Sequence, residues 1–388
     1  MRRNWWIVLI CVLAALCGCE RRPMDYYYNP TCKVVLNVDW TNFPEVPTGM
    51  SAYFYKDGGD APIILLSDKI KSMEVNLPAG HYHAYVINQT PEEFGTILFS
   101  GMSDYLTAKG VLAQTKSRWY KSKASSDGSK AVDPSAVSVQ PENLAVAVID
   151  EFDITEDMVE KYQKQYADWK TKTKQVAANA ARAAHTKATP EEEAAAESKN
   201  ILDGLTLYLN TIAYNMVSEL NVRVHIQNIY NLYSARASMN GLAEGVMLYA
   251  GRPTDDAAVQ LMESNLWKKT VDVTDPTKGY IESSIMTFGL PGGPTGDLSL
   301  RDATLNAFGL SCLLVDQATI VDVDYNVGNR FTLQMGVHGL KLVLNLEVGT
   351  NLDPAVTLPD VPPAGGASGG FDATVDDWEE GETVEISM

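Results

Sequence analysis

The stretch Met73-Glu74-Val75-Asn76-Leu77-Pro78-Ala79-Gly80-His81-Tyr82-His83-Ala84-Tyr85-Val86-Ile87-Asn88 sets the character of the chain. Met73, Val75 and Leu77 alternate with Glu74 and Asn76. Pro78-Ala79-Gly80 then breaks the run, and Tyr82, Ala84 and Val86 resume the alternation. A period of two around a Pro/Gly break predicts strand, turn, strand in a half-buried antiparallel sheet. Working outward, Lys33 to Trp40 places Leu36, Val38 and Trp40 on one face, and Gly49 to Tyr55 follows a Pro-Thr-Gly turn. Downstream, the Ser/Lys-rich stretch Lys116 to Lys130 is expected to be an exposed loop, and Leu144 to Ile149 a strand that closes an N-terminal β-sandwich over 19–150.

At residue 151 the period changes. Asp153-Ile154-Thr155-Glu156 supplies capping residues, and Met158, Tyr162, Tyr166 and Trp169 recur at the spacing of one helical face. Beyond Trp169 the stripe fades into Lys, Ala and Thr. A second short helix begins at Thr189-Pro190-Glu191-Glu192-Glu193, with Thr as cap, Pro in the first turn and acids complementing the dipole. Residues 151–200 are therefore expected to form a helical insertion whose aromatic stripe packs on the protein's own sheet. From 201 to 388 the β pattern returns. Val222, Val224 and Ile226 alternate with polar residues, Gly245 to Ala250 follows Gly241-Leu242-Ala243-Glu244, and Ile281 to Phe288 leads into Gly289-Leu290-Pro291-Gly292-Gly293. Phe331 to Val348 suits a hairpin turning at Gly336 or Gly339. The fold class expected is mainly β, with two tandem antiparallel β-sandwich domains and a helical insertion between them.

The start of the chain points to its location. Arg2 and Arg3 precede an apolar run, Trp5 to Leu16, that ends in Leu16-Cys17-Gly18-Cys19, which resembles a lipoprotein signal-peptidase site. The run falls short of the roughly 18–20 apolar residues that span a bilayer. Residues 1–18 thus read as a signal peptide, with Cys19 as the acylated first residue of the mature chain. Each buried CH₂ contributes about 0.8 kcal/mol, so several acyl chains hold the protein stably on the outer membrane, facing outward.

The chain has 31 Lys and Arg against 49 Asp and Glu, a formal charge of −18. That balance argues against nucleic acid as a partner. Beyond Cys19, Cys32 and Cys312 are left in the mature chain, with a Cys32–Cys312 bridge and two buried free thiols both open. No nucleophile elbow, His-Glu-x-x-His or phosphate loop occurs, so no enzymatic activity and no cofactor are expected. His81 and His83, two apart in a strand, point to one face and could hold a metal. No third ligand is legible, however, and the pair reads as decoration of an exposed strand. Asp322-Val323-Asp324-Tyr325-Asn326-Val327-Gly328 starts like a calcium loop, but Leu333 stands where the bidentate glutamate belongs, so a turn between strands is expected.

Several segments together resemble fimbrial-anchor (FimB-type) lipoproteins and allied uncharacterised outer-membrane lipoproteins. They are the lipobox, Gly49 to Tyr55, Leu77 to Asn88, Gly241 to Val246, Thr287-Phe288-Gly289 and Phe371 to Glu380. The resemblance implies transthyretin-like sandwiches, a place at the base of a fimbria, and fimbrial subunits as partners. The helical insertion departs from the usual anchor pattern. A carbohydrate-binding lipoprotein of a glycan-uptake system is the alternative, with Trp40, Phe43, Trp119 and Tyr120 as sugar-stacking residues. At the C-terminus, a Gly-rich linker (363–370) precedes a segment in which Val384, Ile386 and Met388 alternate with polar residues. With Phe371 and Val375, these mark a candidate strand-exchange segment, which would complete a sheet edge of this chain or of a neighbouring subunit.

Overall fold

The computed structural model describes residues 30–120, 136–180, 190–292, 307–328, 330–336, 339–346 and 356–364. Among the described residues the chain is mainly β, with four sheets and a pair of long helices, and it separates into a β unit and a helical unit. Cys19 and the segment containing Phe371, Val375, Val384, Ile386 and Met388 lie outside the described residues.

In the β unit, a seven-stranded sheet runs in the order Ile63–Ser67, Met50–Lys56, Gly80–Ile87, Ala145–Ile154, Leu207–Asn215, Thr31–Asn42, Ser72–Pro78. The two strands of the opening motif both form, yet they are not neighbours. Ala79 alone joins them, and three other strands lie between them in the sheet, so Pro78-Ala79-Gly80 is a corner and not a hairpin turn. A four-stranded sheet, Arg252–Pro253, Gly245–Met247, Lys109–Leu112, Ile97–Ser100, shares a core with this first sheet. That core includes Tyr53, Tyr55, Tyr85, Ile87, Ile97, Leu112, Val246 and Phe288.

Two six-stranded sheets build the second sandwich. One runs Lys268–Val271, Lys278–Thr287, Ser218–Gln227, Gly339–Leu346, Phe331–Gly336, with Val356–Thr357 also on Ser218–Gln227. The other runs Ile320–Asn326, Ala307–Leu314, Leu232–Ala243, Ala257–Met262, Ala136–Ser138, Gln114–Lys116. Between them, Leu220, Val222, Val224 and Ile226 pack with Ala237, Met239, Ile281, Ile285, Phe308, Leu310, Leu342 and Leu344. The predicted alternation at 222–226 and the hairpin of Phe331–Gly336 with Gly339–Leu346, in which Gly336 pairs with Gly339, are both present.

Sheet membership does not follow chain order. Leu207–Asn215 joins the first sheet, parallel to Thr31–Asn42, while Gln114–Lys116 and Ala136–Ser138 join the second sandwich. The sheets are consequently mixed and not purely antiparallel. The second sandwich repeats the device, since Ser218–Gln227 lies parallel to Gly339–Leu346. In both, the first strand of the region finds its parallel partner near the region's end, and such pairs need a long crossover connection.

Gly241 has φ +77° at the irregularity where pairing with Ala257–Met262 shifts, a backbone region that costs L-residues about 1 kcal/mol or more. Gly245 lies so close to the neighbouring backbone that a Cβ there would stand 2.3 Å from the Gly110 carbonyl oxygen.

The Asp322 stretch is not a turn. Asp322 and Asp324 belong to the edge strand Ile320–Asn326, and the reversal comes later, where the Arg330 amide donates to the Val327 carbonyl. An outward aspartate at every second position is compatible with a strand and keeps this edge charged. Cys32 and Cys312 are both buried, and neither is in a disulfide.

The helical unit comprises α1, Glu156–Ala180, and α2, Pro190–Gly204. Thr155 caps α1: its Oγ1 accepts from the Met158 amide at 3.2 Å. Buried Ser198 on α2 accepts from Gln165 at 2.9 Å and donates to Asp168 at 2.9 Å, which ties the two helices side by side. Lys172 and Ser198 together hold the Asp168 carboxyl below its ordinary value. Of the aromatic stripe, Tyr162 is buried and Trp169 half-buried, while Tyr166 is exposed and stacks on Tyr162. No described helix is long and apolar enough to cross a membrane.

Candidate functional site

The most chemically organised surface grows from the register of two adjacent strands. Met50–Lys56 runs antiparallel to Gly80–Ile87, with Tyr53 opposite Tyr85 and Tyr55 opposite His83. Side chains two apart share a face, so Tyr53, Tyr55 and Asp57 line up beside Ile87, Tyr85, His83 and His81. The row passes from core to solvent. Ile87 and Tyr85 are fully buried, Tyr55 is buried, His83 and His81 are half-buried, and Asp57 is exposed.

At the buried end, the hydroxyls of Tyr55 and Tyr85 are 2.7 Å apart, and Tyr55 donates to the Met102 carbonyl at 2.8 Å. Tyr53 stacks on Tyr85 at 5.2 Å, and Tyr105 lies tilted against Tyr55 at 5.6 Å. Desolvation raises all four phenols, with Tyr53 and Tyr105 pushed up to about 12, so this cluster stays neutral at any physiological pH. Tyr105 also carries the His83 ring, stacked at 4.8 Å.

At the exposed end, the two imidazoles stand edge to face, 5.3 Å apart. The Asp57 amide donates to the His81 carbonyl at 2.9 Å, extending the ladder one residue past the strand and holding Asp57 beside the pair. From the other neighbouring strand, Asp153 Oδ1 contacts His81 Nδ1 at 2.7 Å, Glu151 Oε2 is 3.6 Å from His81 Nε2, and the Asp150 carbonyl meets His83 Nδ1. Asp57 Oδ1 is 3.6 Å from His83 Nε2. The hydrogen bond to Asp153, followed by the nearby charges of Asp153, Asp57 and Glu151, raises the His81 pKa above its ordinary value. One ligand atom each from Asp57, His81 and His83 lies within 4.8 Å of the others, so the third member that the sequence did not reveal is Asp57.

Residues 18–263, well over half of the chain, match the family described as Domain of unknown function, DUF5119. The chain belongs to the DUF5119 family. Among solved structures, this DUF5119 protein is similar in fold to a candidate adhesin from Bacteroides ovatus, with 15% identity, a TM-score of 0.51, and coverage of 89% of this chain and 99% of that one. The fimbrial anchor protein Mfa2 from Porphyromonas gingivalis aligns at 10% identity and a TM-score of 0.44, covering 83% of this chain and 93% of its own. A candidate cell adhesion protein from Bacteroides eggerthii aligns at 9% identity and a TM-score of 0.39, over 86% of this chain and 93% of its own. No curated protein sequence matches the chain.

Among the aromatics named for sugar stacking, Trp40, Phe43 and Tyr120 make contacts within the chain. Trp40 donates from Nε1 to the Ile70 carbonyl and meets buried Phe43 edge to face at 6.2 Å, while the Tyr120 hydroxyl lies 3.4 Å from Asn240 Oδ1. A different surface escapes the sequence reading: the edge strand Ile63–Ser67 leaves Ile64 and Leu66 more than half exposed and contains no charged residue. Its run of consecutive apolar residues is the signal that could have found it, since strands with one wet face normally alternate.

Proposed function

We propose that this DUF5119 protein is a non-enzymatic lipoprotein, held on the outer membrane through Cys19, that serves surface adhesion as a fimbrial anchor or fimbria-associated component. The observation that carries this reading is the pairing of a lipobox-like Leu16-Cys17-Gly18-Cys19 with a fold similar, over nearly its whole length, to a candidate Bacteroides adhesin. The described surface is consistent with a binding module. Its histidine and carboxylate cluster sits on a sheet face that reaches solvent, beside buried tyrosines of the first core.

Acylation needs the thiol of Cys19. A Cys19→Ser chain is expected to leave the outer-membrane fraction, accumulating as soluble protein or unprocessed precursor. Retention of that variant in the outer membrane, at the level of the unaltered chain, would overturn the tethered reading.

A further inference from the structure

We propose that Asp57, His81 and His83 form a divalent transition-metal site, best suited to Zn²⁺. The Asp150 carbonyl can only accept, so the His83 Nδ1 that meets it carries the ring proton, and Nε2 of the neutral ring is left with the lone pair. His81 is fixed in the same way, with Nδ1–H donating to the Asp153 carboxylate. Both Nε2 atoms therefore lack a proton in the neutral form, and each has a carboxylate oxygen 3.6 Å away, Asp57 for His83 and Glu151 for His81. A lone pair facing an anionic oxygen is relieved by a proton on Nε2 or by a bound cation, and around Asp57, His81 and His83 three donor atoms lie within 4.8 Å of one another, a spacing that one divalent ion can bridge.

A tetrahedral ion bonded at about 2.0–2.1 Å holds its donor atoms about 3.3–3.4 Å apart; Asp57 Oδ1 and His83 Nε2 already stand at 3.6 Å, and the three donor atoms, within 4.8 Å of one another, close on an ion by small side-chain rotations. The contacts at the two Nδ1 atoms are the outer supports that metal-binding histidines use: a carboxylate and a backbone carbonyl, each orienting a ring and raising its basicity. The Tyr105 ring stacked on His83 fixes the second imidazole further. Two imidazoles and one carboxylate suit zinc better than calcium or magnesium, which prefer oxygen donors throughout. The set leaves a fourth position for water or for a carboxylate brought by a partner. The site is independent of the proposed adhesive role.

The test is equilibrium dialysis of the full chain, solubilised in detergent and stripped with chelator, against Zn²⁺ alone, with bound metal measured per chain. One equivalent is expected. Asp57→Asn and His83→Gln should each abolish stoichiometric retention, and Asp153→Asn, which removes only an outer support, should weaken binding roughly 10- to 100-fold. His225→Ala, a strand histidine outside the cluster, should retain one equivalent. The Zn²⁺-induced rise in unfolding temperature is the second readout, and each variant is compared with its own metal-free midpoint so that loss of binding is separated from loss of stability. Less than one equivalent in the unaltered chain, or undiminished binding in Asp57→Asn and His83→Gln, would overturn the proposal.

Discussion

His81 shows how one residue's neighbours set its chemistry. Its imidazolium is favoured by a hydrogen bond to Asp153 and by the charges of Asp57 and Glu151. In the metal-free protein its titration should lie above the ordinary histidine value of 6.5, and Asp153→Asn should return it toward that value, followed by NMR of the ring protons. The raised folded value fixes the sign of the linkage. The stabilisation is fully present below the unfolded value and is lost as pH rises through the folded one. Equal titration in the two proteins would show that Asp153 does not set it. Beneath it, Tyr55 bonds both the Tyr85 hydroxyl and the Met102 carbonyl, whereas Tyr85 has Tyr55 and, more weakly, the Met102 sulfur. Tyr55→Phe should cost more in denaturant unfolding than Tyr85→Phe, each lost bond being worth about 0.5–1.5 kcal/mol. The reverse order would contradict this network. His81 and His83 were legible as neighbours from their spacing. Asp57 was not, because its place depends on which strand pairs with Gly80–Ile87, and side-chain alternation carries no information about partner choice.

Among the elements, those with strong local signals were legible. The helix from Glu156 announced itself through Thr155 and the spaced aromatics, and Ser218–Gln227 through its alternating valines. The corner at Pro78-Ala79-Gly80 was not, because a Pro/Gly break specifies a change of direction and leaves open whether the next strand folds back or moves on to another neighbour. The edge strand Ile320–Asn326 carries the Asp and Asn residues that favour turns, whereas its intervening Val321 and Val323 pack against the second core and hold it in the sheet. Thr155→Ala should lower stability by about 0.5–2 kcal/mol through loss of the cap at α1, measured as a shift in denaturant midpoint; an unchanged midpoint would remove Thr155 as the cap. Gly241→Ala should destabilise because φ +77° is strained for any side chain, and a neutral result would indicate that the irregularity relaxes without cost.

At the scale of the whole molecule, the mainly β class followed from the period of two on both sides of one helical interruption. The exchange of strands between distant chain segments did not, since Leu207–Asn215 pairs with a strand more than a hundred residues earlier and only the assembled core selects that partner. The proposed surface role makes a demand that no isolated domain can meet: the tethered protein must contact other surface chains in the living cell. Cross-linking on intact cells, followed by identification of the chains attached to this protein, tests that most directly. The account predicts covalent products with fimbrial or other adhesive surface subunits, which disappear when Cys19→Ser removes the tether. Products confined to glycan-uptake components, or identical products from the tethered and untethered chains, would contradict it.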